Sequence, residues 1–209
     1  MKKKVIIILL SIIVLSTYAW CDTPANDLKN AVDAIVTLLK NPKFNNLSER
    51  ETLKEKAWTI SLEIFEYKSL ARGALGKNWK RFNPEQKNDF SKLFAKLIFN
   101  TYFNKLKLNT DGIKDIKISY PETIMLRKTK SGIKRAKVKT IINNKGQNNL
   151  VDYLMLQTKN GSWKIYDVNI EGIGMIKNYR TQYKKKFSTP PDQFIKELNR
   201  KLKKNAIPE

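Results

Sequence analysis

The chain has 209 residues, with 41 Lys and Arg against 19 Asp and Glu, no His and a single Cys. The lack of His excludes most nucleophile-and-base catalytic arrangements and His-ligated metal sites, and a single Cys excludes an internal disulfide. The formal net charge of +22 would attract polyanions and anionic membranes, although solvated surface lysine explains it equally well.

The N-terminus predicts a secretory signal peptide. Lysines at residues 2–4 precede an uninterrupted apolar run at residues 5–15, and small or polar residues follow. This run is shorter than the roughly 20 residues that a membrane-spanning helix needs, so a retained anchor is the less favoured alternative. Cleavage after Ala19 fits the small-residue rule, and cleavage after Cys21 is the other option.

The rest of the chain predicts one domain. No Gly/Ser-rich linker and no repeat interrupts it, so we expect a signal peptide at residues 1–21 and a single domain at residues 22–209. Lipid attachment at Cys21 is an alternative that the bulky Trp20 disfavours. Export would remove most nucleic acid from reach, so anionic lipid is a better candidate partner than nucleic acid.

The first half of this domain predicts helices. Apolar residues recur at three-and-four spacing in residues 27–39, and a second helix follows to about residue 66. A short helix ends at Gly76. Asn83 with Gln86 predicts a reciprocally capped start of the longest helix. Its large apolar residues form one broad stripe: Phe90, Leu93, Phe94, Leu97, Ile98, Tyr102 and Phe103.

The second half predicts strands and then helices again. Residues 116–120 alternate apolar with polar up to a break at Pro121, and further strands are expected at residues 122–129, 133–143, 150–158 and 162–170. Two helices, at residues 172–187 and 192–204, complete the chain. The predicted fold class is α+β, with a twisted antiparallel β-sheet covered by the N-terminal and C-terminal helices.

The sequence offers little for catalysis. Asp167 and Glu171 could do acid–base work, yet their positions equally suggest helix capping and salt bridges. We expect no catalytic residue, no metal site and no cofactor.

Residues 161–183 carry the most informative pattern. Trp163, Tyr166 and Asp167 form a Trp-x-x-Tyr-Asp strand that continues into Glu171-Gly172 and a helix. Upstream, Leu75-Gly76 and Trp79 precede Pro84, Gln86 and a helix with Phe90, Phe94 and Tyr102. These segments resemble the MlaC family of periplasmic phospholipid-binding proteins, also called toluene-tolerance auxiliary components. Two positions depart from the family pattern: Gly174 stands in place of Ser, and Asn83, an equally good N-cap, in place of Thr.

The resemblance implies a function. Such a protein would hold a phospholipid, acyl chains inward, in an apolar lipid cavity between sheet and helices. It would carry the lipid through the periplasm between an inner-membrane Mla-type ABC transporter complex and an outer-membrane lipoprotein–porin complex. We expect a monomer that binds phospholipid as cargo. The alternative is a periplasmic binding or scaffolding module with a filled core and no lipid cargo.

The candidate lipid-binding residues come from the long-helix stripe and the elements expected to face it. Spacing alone favours ordinary core packing for this stripe, and the family resemblance favours a cavity. The predicted lining is Phe94, Ile98, Tyr102, Val138, Tyr153, Ile173 and Ile176. Glu171 is placed at the cavity mouth by the family motif. Lys177 and Arg180 either meet a phosphate or form a solvated helix face.

Overall fold

The computed structural model describes residues 23–107 and 115–204. The predicted signal peptide at residues 1–21 lies outside these described residues. Within them, six α-helices and one five-stranded sheet form the fold. The helices are α1 (Pro24–Lys40), α2 (Leu47–Ile64), α3 (Tyr67–Leu75), α4 (Pro84–Lys107), α5 (Met175–Tyr183) and α6 (Pro191–Lys204). The predicted order of helices, then strands, then helices is confirmed.

The sheet is an antiparallel meander in which the strands lie in chain order. Its strands are β1 (Lys117–Leu126), β2 (Arg135–Asn144), β3 (Gln147–Gln157), β4 (Trp163–Ile170) and β5 (Ile173–Gly174). Short turns suffice because each strand pairs antiparallel with the next. The predicted α+β fold class is confirmed.

The two faces of the sheet differ in polarity, as strand alternation requires. On β2, Ala136, Val138 and Thr140 are buried toward the helices. The intervening Lys137 and Lys139 are partly exposed and form ion pairs with Asp152 and Glu122, at 3.4 and 2.7 Å. One face therefore packs on helices while the other meets solvent.

The prediction of two strands separated at Pro121 is wrong. The chain continues through Pro121 as one strand, and the register with β2 shifts between Ser119 and Glu122. Proline is tolerated because β1 lies at the edge of the sheet, where the missing N–H takes no bond from the ladder. The bulge absorbs the extra residue.

The start of α5 also differs from the prediction. Ile173 and Gly174 form the short strand β5, which pairs back on β4, and the helix begins only at Met175. Glu171 and Gly172 have φ values of 48° and 80°, so they form a tight two-residue turn instead of the first helical residues.

The start of α4 is capped as the sequence predicts. The backbone N–H of Gln86 donates to Asn83 Oδ1 at 2.8 Å, and the N–H of Asn83 donates to Gln86 Oε1 at 2.9 Å. This reciprocal pair satisfies two N–H groups that the helix itself cannot bond. The start of the longest helix is thus encoded locally.

An aromatic cluster joins α4 to the C-terminal helices. Phe90 and Phe94 stack with ring centroids 5.5 Å apart, and Phe94 meets Tyr179 of α5 edge-on at 5.1 Å. Tyr183 then meets Phe194 of α6 edge-on at 5.1 Å. These rings close the core at one end of the molecule.

Among the described helices, none has the length and apolar character that crossing a membrane requires.

Candidate functional site

A large apolar cavity lies between the sheet and helices α1, α2 and α4. Its volume is about 650 Å³. That is within the range typical of small-molecule and lipid pockets and far larger than the packing voids of a closed core. Ile170 is the most exposed of the described lining residues, at 36%, and we infer from this that the cavity opens to the surface beside it. We call this opening the cavity mouth.

Helix α1 forms one wall of the cavity. Its pattern is that of an amphipathic helix, in which residues three and four apart share one face. The exposed face carries Lys29, Asn30 and Asp33, while the apolar face looks onto the cavity. The lining residues of α1 are Leu28, Ala31, Val32, Ile35, Val36 and Leu39. Four of them are only half-buried, because empty space lies where a closed core would have side chains.

The C-terminal part of α4 forms another wall. Ile98, Phe99, Tyr102 and Phe103 line the cavity and come from two adjacent rows of the helix surface. Phe99 and Phe103 stack on each other with centroids 5.3 Å apart. The predicted broad stripe of α4 thus divides into an N-terminal part in the aromatic cluster and a C-terminal part at the cavity.

The sheet forms the floor. Val151 and Tyr153 of β3 and Ile165, Val168 and Ile170 of β4 lie on its helix-facing side and line the cavity. A register shift in the β3–β4 pairing lets both Ile165 and Val168 point inward, three residues apart. Without that bulge, strict alternation would turn one of them to solvent.

The cavity lining carries no charge among the described residues. Apart from tyrosine hydroxyls, its polar side chains are Ser61, Asn144 and Asn149. Ser61 donates internally to the carbonyl of Trp58 at 2.7 Å, and Asn149 donates to the carbonyl of Ile142 at 3.3 Å. Nor does the described part of the chain contain a cluster of acidic or thiol side chains able to hold a metal ion. The cavity is therefore suited to an uncharged hydrocarbon guest.

The tyrosines in the walls keep their protons. Burial raises the pKa of Tyr153 and of Tyr67 to about 12. Burial, and then the nearby Asp167 carboxylate, also raises the pKa of Tyr102. All three hydroxyls are neutral at physiological pH, so they can bond a polar group of a guest without adding charge to the wall.

Three of the sequence-predicted residues, Ile98, Tyr102 and Tyr153, lie together around the cavity. Phe94 and Val138 lie instead in the closed core, fully buried. Phe94 is surrounded by the aromatic rings of α4 and α5, and Val138 lies mid-strand on the helix-facing side of β2. The apolar stripe of α4 therefore packs in the closed core where other elements cover it and borders the cavity where they do not.

Ile176 packs between α5 and α3 rather than along the cavity. A Cβ placed on Gly73 of α3 would lie 2.5 Å from the Cδ1 atom of Ile176, so these helices approach closely. Arg180 strengthens the junction, because its guanidinium donates to the carbonyl of Gly73 at 3.0 and 2.5 Å. Arg180 is thus engaged by the protein, while Lys177 is exposed on α5.

Glu171 and Ile173 lie at the turn between β4 and β5, beside the cavity mouth. The Glu171 carboxylate accepts from the N–H of Leu150 at 2.5 Å, and the Glu171 N–H donates to the Leu150 carbonyl at 3.0 Å. Ile173 pairs with Ile170 and is 65% exposed, so it lies at the rim, outside the wall.

Asp167 acts as a structural cap. Its Oδ1 atom accepts from the N–H of Val168 at 2.9 Å and from the N–H of Ile176 at 3.1 Å. The second bond satisfies an N–H in the first turn of α5, where the positive end of the helix dipole favours a carboxylate. Of the two interpretations of this carboxylate, the geometry supports capping.

Sequence reasoning missed the contribution of α1 to the cavity. Residues 27–39 predict an amphipathic helix, but periodicity alone does not distinguish an apolar face that packs from one that borders a space. The available signal was small: the face is built from Ala, Val, Ile and Leu without an aromatic residue. Such a wall leaves more room than the Phe-rich stripe of α4.

A solved structure from Ralstonia solanacearum has a similar fold. It is described as a phospholipid-binding protein in complex with a phospholipid. The two chains are 22% identical in sequence, the match covers 87% of this chain and 98% of that chain, and the TM-score is 0.68. No curated protein gives a significant match to the chain.

The family model described as MlaC protein matches residues 29–203. The match runs from the first turns of α1 to the last turn of α6 and spans all five strands. It therefore includes both segments on which the resemblance was based, from Leu75 to Tyr102 and from Gly161 to Tyr183. The chain belongs to the MlaC family.

Proposed function

We propose that this protein binds a phospholipid in its cavity and carries it, without catalysing a reaction. The observation that carries the proposal is the uncharged apolar cavity of about 650 Å³ between α1, α4 and the sheet. Family membership and the phospholipid-binding neighbour of similar fold support the same cargo.

The polarity of the walls determines how the lipid would enter. Because no described lining residue is charged, a phosphate inside the cavity would lose its hydration without gaining a counter-ion. The acyl chains therefore point inward and the headgroup remains at the mouth, near Asn144 and Asn149. Asn144 Oδ1 is buried without a hydrogen-bond partner, so it can accept from a hydroxyl or ammonium group of the lipid headgroup.

The energetics require transfer by direct contact. Each methylene moved from water to an apolar site gains about 0.8 kcal/mol, so two acyl chains of roughly thirty methylenes gain about 24 kcal/mol. Spontaneous release into water would be far too slow for transport. Transfer between cavity and bilayer is nearly balanced, since both are apolar, and small differences in affinity can set its direction.

We further propose that the protein works as a shuttle in the periplasm. It would exchange lipid with an inner-membrane Mla-type ABC transporter complex on one side and an outer-membrane lipoprotein–porin complex on the other. The predicted signal peptide at residues 1–21 and the family membership support this location and these partners.

The test is native mass spectrometry, with organic extraction, of the protein purified from bacterial periplasm without detergent. Phospholipid at about one molecule per chain would support the carrier function and identify the headgroup. A lipid-free mass that persists after incubation with phospholipid vesicles would refute it and favour a binding module without lipid cargo.

A further inference from the structure

Three exposed apolar residues lie on neighbouring strands beside the cavity mouth. Among the described residues, six large apolar side chains are exposed, and three of these belong to one place: Leu150 at 55%, Ile170 at 36% and Ile173 at 65%. We call these three residues the rim patch. Single exposed apolar residues are ordinary, but a cluster that adjoins an apolar cavity indicates an interaction surface.

Strand pairing makes two members of the rim patch, Ile170 and Ile173, continuous with the cavity wall. Ile170 pairs with Val151 across β3 and with Ile173 across β5. Val151 and Ile170 both line the cavity, and directly paired residues project from the same face of a sheet. Ile173 therefore extends the apolar wall beyond the mouth and out to the surface.

The turn between β4 and β5 is hydrogen-bonded to β3 at Leu150. Glu171 has a φ of 48°, a left-handed conformation that is costly for a residue with a side chain, and Gly172 follows with a φ of 80°. Two hydrogen bonds between Glu171 and Leu150, at 2.5 and 3.0 Å, offset this cost. The backbone that carries Ile170 and Ile173 is thus tied to β3 by hydrogen bonds.

The shape of the rim patch favours a bilayer over a protein surface. Leu150 projects from the sheet face opposite to Val151, while Ile170 and Ile173 project from the cavity side. A flat protein surface could cover only one of these sides. A bilayer interface can surround a protruding turn and cover both, and a shallow apolar insertion of this kind is typical of interfacial binding.

Charge around the rim patch fits an anionic surface. Lys177, in the first turn of α5, is exposed and lies beside Gly174 of β5, where an added Cβ would be 3.9 Å from the Cβ of Lys177. The formal net charge of the whole chain is +22. Two carboxylates lie near this turn: Glu171 accepts from the N–H of Leu150, and Asp167, whose Oδ2 atom would lie 3.7 Å from a Cβ placed on Gly174, accepts from the N–H of Ile176. Lysines near an anionic membrane contribute favourable attraction that decreases with salt.

We infer that the rim patch docks this protein on the surface of an anionic phospholipid bilayer, with the cavity mouth against the acyl-chain region. The inference rests on the proposed function for its purpose, because a docked mouth would let acyl chains pass without crossing water. The docking itself does not depend on which lipid occupies the cavity.

Vesicle flotation of the processed full chain tests the inference. We expect the wild-type protein to float with phosphatidylcholine vesicles that contain phosphatidylglycerol, and less with phosphatidylcholine alone. The variant Leu150→Ser/Ile173→Ser should lower the partition coefficient on the order of tenfold or more, because two side chains lose their apolar insertion. Met125→Ser is the matched control: Met125 is 57% exposed but lies at the opposite end of the sheet, where it pairs with Ala136.

The outcomes separate docking from cargo binding. If the double variant floats as well as the wild type, or if the wild type floats with neither vesicle, the inference is overturned and a protein partner becomes the better candidate for the rim patch. Native mass spectrometry of the same variants adds a second readout. A double variant that floats as well as the wild type but loses its co-purified phospholipid would assign these residues to the cargo site and overturn docking. A wild type that docks but carries no phospholipid would refute only the proposed function.

Discussion

The Asp27 carboxylate accepts a hydrogen bond of 2.7 Å from the backbone N–H of Trp163. This bond joins the first turn of α1 to the first residue of β4, which are separated by more than half of the chain. Since α1 is a wall of the cavity and β4 belongs to its floor, the bond fixes this wall against the floor. It leaves the other end of α1, near Leu39, to be held by apolar contacts.

Removal of this carboxylate should loosen α1. We expect Asp27→Ala to lower the free energy of unfolding by about 1–3 kcal/mol, because a partly buried N–H loses a charged acceptor. The loss is measured by urea denaturation followed by circular dichroism. Asp33→Ala is the control on the same helix, since the ion pair between Asp33 and Lys29 is exposed and should cost less than about 0.5 kcal/mol. Equal losses in both variants would contradict the assigned role of Asp27.

A bulky side chain on the α1 wall should displace the cargo. Val32 lines the cavity, so Val32→Trp should fill part of the space and reduce co-purified phospholipid several-fold, without a loss of unfolding free energy. The measurement is the lipid-to-protein ratio after extraction. Asn30→Trp places the same side chain on the exposed face of α1 and should leave the ratio unchanged. If Val32→Trp carries as much lipid as the wild type, α1 is not a wall of the lipid site.

Gly73 and Ile176 should be energetically coupled. In a helix, Gly→Ala alone stabilises by up to about 1 kcal/mol, whereas overpacking a tight contact costs about 1–3 kcal/mol. Because the added Cβ would lie 2.5 Å from Ile176 Cδ1, we expect overpacking to prevail and Gly73→Ala to destabilise.

The variant Ile176→Val removes that Cδ1 atom and provides the second arm of a double-mutant cycle. In the Ile176→Val background, Gly73→Ala should become neutral or stabilising, with a coupling energy of about 1 kcal/mol or more in chemical denaturation. Additive effects of the two substitutions would show that the helices can separate at no cost.

Asp167 should give the protein a specific pH dependence. Burial raises the pKa of its carboxyl above the ordinary value of 3.8, although the N–H groups of Ile176 and Val168 and the charge of Arg180 act to lower it. A raised pKa means that the folded protein binds this proton more tightly than the unfolded chain. The contribution of Asp167 to the free energy of unfolding therefore decreases as pH rises from about 3.8 through the folded pKa.

The variant Asp167→Asn keeps an acceptor oxygen for α5 but does not titrate. Relative to the wild type, its free energy of unfolding should rise across the same pH interval. Above that interval, the difference between the two proteins should stay constant. Urea denaturation at a series of pH values gives this difference directly. A difference that does not change with pH would show that Asp167 is as well solvated in the fold as in the unfolded chain.

The elements that the sequence predicted well are those with local signals. The start of α4 depends on Asn83 and Gln86, which lie three residues apart, and the structure shows their two hydrogen bonds. The strands and turns likewise follow from alternation and from glycine. The continuity of β1 through Pro121 could not be read locally, because it depends on the strand being at the edge of the sheet.

The cavity was harder to predict than the fold. Ile98 and Tyr102 border it, but Phe94, one turn before Ile98 on the same stripe, is enclosed by Tyr179 and its neighbours. Which apolar residue packs and which faces a space depends on how α5 and α6 dock, and helical periodicity carries no information about that. The same limitation explains why α1 was predicted as an ordinary amphipathic helix.

The bulge at Pro121 affects how readily the open edge of β1 could pair with a strand of another chain. An open sheet edge offers a row of free N–H and C=O groups on which another chain can build a strand, and fibrils grow from such edges. On β1, Pro121 lacks an N–H, and the shifted register between Ser119 and Glu122 disturbs the regular spacing that an incoming strand would need. The β1 edge is therefore a poor template for fibril growth.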